Sequence, residues 1–410
     1  MTAALSADRS FIFVGATARP QVDGYRVARL TTLDELEALA PEWAALEATS
    51  QRATFFQSAA WSLAACRPLD GQTEIADVLV FAVYRGLDLV AVAPFKIISR
   101  GPVRLAVDLT DPFGQYGDVL VADGIDESLV MAQVIAALRD TPDLDGLLMR
   151  RVRTDSPARH LLDLGGFKAS AADAAPYVDL RPHASFDSYY SGVNTKTRKN
   201  LRNLRNRMAR GSPVTHRAMD NADISLVIAE SFEGRLRWLE QQGLPSTAFD
   251  DPVFRAFVER IGELGRRGEL ALLAMGLYCG DVPVSLQWGF VHRGRYYAYI
   301  AARNPDYDAY SPGRIHLEEV LRTCHARGIE VCDFLAPGAR YKFTWTDDAM
   351  EVLDIAVPFS FKGRLLLDLW NRRLGVMAKT VYAHLPPGLR QTVMHLLRGK
   401  GHAASQADAA

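Results

Sequence analysis

The sequence has few cysteines, almost no excess of charge and no long apolar run, and each absence disfavours a class of protein. Its 4 cysteines form no CxxC pair, which argues against a disulfide-stapled secreted domain and against zinc. A formal net charge of -1 argues against a protein that coats nucleic acid. No segment approaches the ~20 apolar residues of a spanning helix, and the N-terminus lacks a signal-peptide pattern. We therefore expect a cytoplasmic globular protein with reduced thiols.

Several catalytic motifs are missing as well. The sequence contains no G-x-S-x-G, H-E-x-x-H or Walker pattern, so hydrolase and metal chemistry have no support and no metal is expected. The chemistry must come from another arrangement of side chains.

What is present is an order of elements that occurs twice. Apolar periodicity and turn residues predict, in each half, antiparallel strands, a crossover helix and a last strand, which indicates a duplicated α+β domain. The predicted segments are a flexible N-terminus (1–24), two α+β domains (25–182 and 183–358), a basic amphipathic helical segment (359–402) and a disordered tail (403–410).

The stretch from Gly289 to Trp345 is the most informative. It reads as a strand, a polar loop, the helix start SPGR, a helix, a second strand and the tail APGARYKFTW. A β-loop-α-β unit directs backbone N–H groups and a helix dipole at its loop, which suits an anionic cofactor. This stretch predicts the position of the active site.

These motifs, with YYSGVNTKTRKNLRN, FFQSAAW, LVAVAPF and DPFGQYGDVLV upstream, resemble the GNAT-superfamily acyltransferases of the cellulose-biosynthesis-D-like and FemAB-like group. The chain is similar as well to holdfast-polysaccharide acetyltransferases. The resemblance runs from Thr54 to Pro358. It implies two tandem GNAT-like domains with mixed, mostly antiparallel sheets flanked by helices, followed here by a C-terminal helical segment. It also implies acetyl-CoA as acyl donor and a role in exopolysaccharide or envelope synthesis.

The resemblance implies that the loop from Asn304 to Arg314 holds the cofactor pyrophosphate. Ser311 is a natural N-cap, Pro312 suits the first helical position and Gly313 permits close backbone approach. The usual superfamily loop has more glycine than this one, and the plain alternative is an ordinary helix start. The predicted cofactor-binding residues are Ala301, Ser311, Pro312, Gly313, Arg314 and Lys342.

Three residues are candidates for the catalytic step. Tyr297 and Tyr299 lie on the strand expected to face the thioester, with core packing as the alternative. Asp333 ends the last strand among apolar neighbours, where a raised pKa would suit proton transfer. Pairing of Asp333 with Arg340 or Lys342 is an equal alternative.

The loop DLTDPFGQYGD is the predicted acceptor site. Its Asp111, Tyr116 and Asp118 suit sugar hydroxyls or an amine, and the plain alternative is a polar turn stabilised by aspartates. Trp345 is a further candidate wall of the acceptor pocket, with core packing as its alternative.

Two basic regions suggest anionic partners. Lys196, Arg198 and Arg202 lie on a basic helix where Arg205 continues the same face, a geometry that can bind a nucleotide-diphosphate sugar, a lipid diphosphate or a signalling dinucleotide. The segment 361–402 carries eight Lys/Arg residues and one acidic residue beside an apolar stripe. It suits peripheral contact with the anionic inner face of a membrane, or packing on the domain.

The sequence therefore predicts an N-acyltransferase, acetyl-CoA dependent, that modifies an amino sugar or a polysaccharide or lipid-linked precursor. Two alternatives remain open. One is FemAB-type aminoacyl transfer to a peptidoglycan precursor, and the other is a non-catalytic GNAT-like receptor for a signalling dinucleotide.

Overall fold

A computed structural model describes residues 24–66, 77–219, 221–241, 249 and 252–371. The predictions for residues 1–23 and for residues 372–410 lie outside the described residues. In the described ranges, no helix combines the length and apolar character needed to cross a bilayer.

The helices and strands of the described ranges follow in chain order. The α-helices are Leu33–Thr49 (α1), Ala59–Cys66 (α2), Glu127–Arg139 (α3), Phe186–Gly192 (α4), Thr195–Met208 (α5), Asn221–Gln241 (α6), Pro252–Arg266 (α7), Pro312–Ala326 (α8) and Phe361–Asn371 (α9). The strands are Tyr25–Leu30 (β1), Asp77–Arg85 (β2), Asp88–Arg100 (β3), Val103–Asp108 (β4), Leu120–Val121 (β5), Gly146–Arg153 (β6), Phe167–Lys168 (β7), Asp173–Asp179 (β8), Val214–Ala218 (β9), Leu272–Cys279 (β10), Val282–His292 (β11), Arg295–Arg303 (β12), Val331–Asp333 (β13) and Ala349–Pro358 (β14).

Local signals place the first helix. Thr32 caps α1 by accepting a hydrogen bond from the Glu35 N–H at 3.3 Å, and the Glu35 carboxylate accepts from the Thr32 N–H at 3.1 Å. This capping box satisfies N–H groups that lack a partner within the helix. The start of α1 thus follows from its own residues, because a capping threonine precedes apolar residues at helical spacing.

All the described strands join one mixed sheet. It has 14 strands, and its main path runs β1-β2-β3-β4-β6-β14-β8-β13-β12-β11-β10-β9. Neighbours on this path are antiparallel except β4 with β6 and β12 with β13, which are parallel. Helices flank the sheet, so the predicted α+β class is confirmed.

The two halves of the chain exchange their last strands. β8 comes from the first half, yet it pairs with β13, where Asp179 lies opposite Val331. β14 comes from the second half and pairs with β6, where Pro358 lies opposite Gly146. The exchange joins the halves through backbone hydrogen bonds, and the boundary at residues 182 and 183 stays a prediction.

The second half has a separate core on each face of the sheet. Helices α6 and α7 pack on one face through residues such as Phe232 and Phe257, against Trp288 and Ile300. Phe113 of the first half joins this core. Helices α4, α5 and α8 pack on the opposite face, against residues such as Met275 and Tyr296. The candidate site lies where these two layers approach the gap between β12 and β13.

Candidate active site

The site begins where two parallel strands separate. β12 pairs with β13 over Arg295–Tyr297 and Val331–Asp333, and β12 then continues six residues further, to Arg303. After Asp333 the chain turns away through Leu335, whose φ is 60°, and the cis Ala336–Pro337 peptide. A wedge-shaped gap therefore opens between the end of β12 and the turn after β13.

A β-bulge widens this gap. Trp288 lies opposite Ile300 and Gly289 opposite Ala298, so Tyr299 is the extra residue of β12 and has no partner in the ladder. Bulges bend a strand and free its peptide groups from pairing. Gly289 permits the close approach, because a Cβ there would lie 1.9 Å from the Tyr297 carbonyl oxygen.

The gap opens into a cavity of about 850 Å³ to which both halves contribute. The cavity is lined by strand residues 298–303, by the start of α8, by the turn at 334–337, by part of α6 and by Pro112, Phe113, Gln115 and Arg151 of the first half. Among the described residues, the side chains that line it include five cationic groups, Arg151, Arg235, Arg303, Arg314 and Lys342, against one carboxylate, Asp308. Asp308 accepts a 2.7 Å hydrogen bond from Arg303. The cavity is thus strongly electropositive.

The start of α8 faces the cavity. Ser311 has a left-handed backbone with φ 51° and occupies the predicted N-cap position, but its hydroxyl makes no cap. Its carbonyl accepts from the Arg314 N–H at 3.0 Å, and Pro312 has no N–H, so within the described residues the Gly313 N–H is the one left without a partner in this turn. A Cβ at Gly313 would meet no atom within 4 Å, which leaves room for a ligand. In the described structure, no hydrogen bond or ion pair holds the Arg314 side chain. This end suits a phosphate group.

The predicted cofactor-binding residues divide into two groups. Ala301, Ser311, Gly313 and Arg314 line the cavity together. Pro312 is buried in the first turn of α8 and does not line it.

Lys342 lines the cavity, but its donors are directed to the backbone. Its Nζ donates to the carbonyl oxygens of Leu335 at 2.7 Å and Pro337 at 2.8 Å. Burial lowers the pKa of Lys342 to about 8. The structure therefore assigns Lys342 to holding the turn after β13, in contrast to the predicted direct contact with phosphate.

Asp333 is a structural carboxylate. It accepts hydrogen bonds from the Tyr116 hydroxyl at 2.9 Å, from Arg295 at 3.1 Å and from the Leu335 N–H at 2.9 Å. It is 3% exposed and does not line the cavity. The expected contact of Asp333 with substrate has no geometric basis, because its oxygens join the two halves of the chain.

The two predicted tyrosines differ in position. Tyr297 is buried without lining the cavity, and burial raises its pKa to about 12. Tyr299 lines the cavity, but its hydroxyl donates to the Phe113 carbonyl at 2.9 Å, and burial raises the pKa of this phenol. Both phenols are neutral at physiological pH, so neither can act as a phenolate base.

The first-half loop reaches the cavity through residues other than those predicted. Asp111 pairs with Arg150 at 3.3 Å, and Tyr116 binds Asp333. Asp118 accepts from Ser156 and from the Val119 N–H, and burial raises its pKa to about 6. These three stabilise the loop, while Pro112, Phe113 and Gln115 line the cavity.

The basic helix and Trp345 also lie away from the cavity. On α5, Arg198 donates to the Val193 carbonyl at 2.9 Å and Arg205 pairs with Glu319 of α8, while Lys196 and Arg202 are exposed. The arginines of the predicted face thus make separate contacts within the protein or face solvent, and they do not form one binding surface at the cavity. Trp345 is 3% exposed and packs in the core beside α8. It has no exposed surface for an acceptor.

One buried pair resembles a nucleophile with its base. Ser285 lines the cavity, and its Oγ lies 3.0 Å from His316 Nδ1. Burial lowers the pKa of His316 to about 3, so the imidazole is neutral and a very weak base. The pair is better suited to fixing α8 on β11 than to proton abstraction.

The sequence did not indicate four of the lining residues. Arg151, Arg235 and Trp238 are scattered along the chain and belong to no motif, while Gln287 lies in the stretch GDVPVSLQWGF without being predicted as a site residue. Within the described residues, no group of His, Cys, Asp and Glu could hold a metal ion.

The gap, the bulge and the helix start all lie in a part of the chain that is similar to a known family. Residues 195–343 match the family model described as an acetyltransferase (GNAT) domain. This part of the chain is therefore similar to a GNAT domain. No curated protein matches the chain.

Several solved structures are similar to the chain. FemX is similar with a TM-score of 0.55 at 11% identity, over 84% of this chain and 99% of FemX. A tandem GNAT protein from the clavulanic acid biosynthesis pathway has a TM-score of 0.48 at 11% identity, over 82% of this chain and 99% of that one. The C-terminal domain of a putative lysylphosphatidylglycerol synthetase from Agrobacterium fabrum has a TM-score of 0.43 at 13% identity, over 70% of this chain and 85% of that one. At this identity, the likeness to FemX concerns the fold alone.

Proposed function

We propose that the chain is an acyl-CoA-dependent N-acyltransferase that uses acetyl-CoA and acetylates an amino sugar or a polysaccharide precursor of the cell envelope. The observation that carries this proposal is the continuity of the β12–β13 gap with the start of α8. A thioester arm fits a gap between separated strands, and a diphosphate fits an electropositive helix start. Both features open into one cavity.

The unpaired peptide of the bulge supports the chemistry. A free amine attacks the thioester carbonyl carbon, the C–N bond forms and the C–S bond breaks. The thiolate leaves as coenzyme A, and one amine proton passes to solvent. Peptide groups at Tyr299 stand outside the ladder, where an N–H can donate to the oxygen that gains negative charge.

Calorimetry with acetyl-CoA tests the donor site. We expect saturable binding to the wild type and a loss of at least ~10-fold in affinity for Gly313→Trp, because the indole would occupy space that is empty at that Cβ. Gly192→Trp is the matched control. Gly192 is exposed, does not line the cavity and has equally open space at its Cβ. Equal affinities for both variants would refute the donor site.

A second candidate function is a non-catalytic receptor for a nucleotide. One observation favours it. Among the described lining residues, the single carboxylate is already paired with Arg303, so no unpaired carboxylate faces the cavity to accept a proton from the amine. Product analysis by mass spectrometry separates the two functions. Transfer of an acetyl group to glucosamine supports the enzyme, whereas tight binding of a cyclic dinucleotide without turnover supports the receptor.

A further inference from the structure

The α6 end of the cavity holds a guanidinium group without an acidic partner. Arg235 and Trp238 lie one turn apart on α6, and the Arg235 guanidinium carbon lies 4.4 Å from the centre of the Trp238 ring. In the described structure no carboxylate pairs with Arg235, and burial lowers its pKa. Arg303 approaches the same ring at 5.4 Å, but its charge is offset by Asp308. Among the described residues, the charge of Arg235 is therefore uncompensated.

Two further side chains of the cavity, Trp238 and Arg151, could also bind an anion. Trp238 Nε1 is buried and has no hydrogen-bond acceptor within the described residues. Arg151 also lines the cavity, and its guanidinium donates only to neutral groups, the Gly114 carbonyl at 3.2 Å and Gln115 Oε1 at 3.0 Å. Burying a charge without a partner costs free energy, which an anionic ligand would recover through charge-assisted hydrogen bonds.

The position of Arg235 separates it from the helix start proposed for the donor. α6 packs on the sheet face opposite to α8, in the core that includes Phe113 of the first half. Arg314 at the start of α8 already provides a cation for a diphosphate. A second anion-binding position on the α6 side is therefore available to the other substrate.

We propose that the amine acceptor carries an anionic group, a phosphate or a carboxylate, which binds to Arg235 at the α6 end of the cavity. This inference rests on the proposed acyltransferase function. Arg235 acts as a specificity determinant, and the ring of Trp238 holds its guanidinium in a fixed plane. A neutral amino sugar would leave Arg235 unpaired and would bind less tightly.

A matched pair of acceptors tests the proposal. With acetyl-CoA as donor, kcat/KM is measured for glucosamine 6-phosphate and for glucosamine on the wild type, Arg235→Gln and the control Arg237→Gln. Arg237 is exposed on the same helix and does not line the cavity. We expect the wild type and Arg237→Gln to prefer the phosphorylated sugar by at least ~10-fold, and Arg235→Gln to lose that preference with an unchanged KM for acetyl-CoA. Preference retained by Arg235→Gln overturns the proposal.

Two additional measurements keep the outcomes distinct. In one series, acetyl-dephospho-CoA replaces acetyl-CoA, because the 3′-phosphate of the donor could bind the same guanidinium. If Arg235→Gln lowers the affinity for acetyl-CoA but not for acetyl-dephospho-CoA, the anion belongs to the donor and the proposal is overturned. Calorimetry of the CoA-saturated protein with each sugar reports acceptor binding without turnover. Tighter binding of the phosphorylated sugar that depends on Arg235 supports the proposal even where acetyl transfer fails, and equal binding of both sugars refutes it.

Discussion

Replacement of Gly289 by alanine tests whether the β12 bulge builds the site. The new Cβ would lie 1.9 Å from the Tyr297 carbonyl oxygen and 2.8 Å from its carbon, both backbone atoms that cannot rotate away. The strands must therefore move apart by about 1 Å to restore ordinary contact. Overpacking costs about 1 to 3 kcal/mol, and each weakened ladder hydrogen bond adds about 1 kcal/mol. The intrinsic gain of alanine over glycine, about 0.5 to 1 kcal/mol, offsets part of this cost.

We expect the free energy of unfolding to fall by about 2 to 4 kcal/mol net, measured by urea denaturation, and Tm to fall by about 2 to 5 °C. Acetyl-CoA affinity should fall as well, since a change of register at the bulge moves the side chains that follow it to the other face. Gly276→Ala is the control, because its Cβ would meet only the ring end of Tyr278 and the methyl of Met219, which can rotate away. A Gly289→Ala variant with the stability and acetyl-CoA affinity of the wild type would refute this account of the gap.

The other predictions concern buried polar groups. Asp333→Asn removes the ion pair with Arg295 while keeping the shape of the side chain, so we expect a loss of about 2 to 3 kcal/mol in urea denaturation with unchanged acetyl-CoA affinity of the folded protein. If Asp333→Asn has the stability of the wild type but no turnover, the structural assignment is wrong and Asp333 is catalytic. His316 has a pKa of about 3 when folded against an ordinary value of 6.5, so the unfolded chain binds more protons between these values and stability falls as pH falls through that window. Relative to His316→Asn, the wild type should lose about 1.4 kcal/mol for each pH unit below 6.5; a difference that stays constant between pH 7.5 and 5 would contradict the assignment.

Secondary structure was predictable where the signals are local. The start of α3 follows from its Asp126 cap, and the β10–β11 hairpin follows from its Gly-Asp turn. β8 and β14 were not predicted, because each is stabilised by strands of the other half and its own sequence gives a weak pattern. Pro176 within β8, for example, argues against a strand unless the pairing is known.

The helix start that faces the cavity was predictable from the sequence, and the α6 end of the cavity was not. The order Ser311, Pro312, Gly313 carries a helix-start signal in adjacent residues, so its exposure to a ligand follows from chemistry alone. Arg235 is one of many arginines on helices, and only the packing of α6 places it in the cavity, where no described carboxylate pairs with it. The partner of Asp333 is Tyr116, which is 217 residues away in sequence.

The sequence by itself determined the α+β class, the elements with strong caps and periodicity, and the helix start that faces the cavity, because each depends on interactions within a few residues. Only the tertiary structure decided that the halves exchange strands, that Asp333 is a structural hub and that Arg151 and Arg235 line one cavity. These features depend on which distant surfaces meet and lose water, and local patterns in a sequence carry no information about that choice.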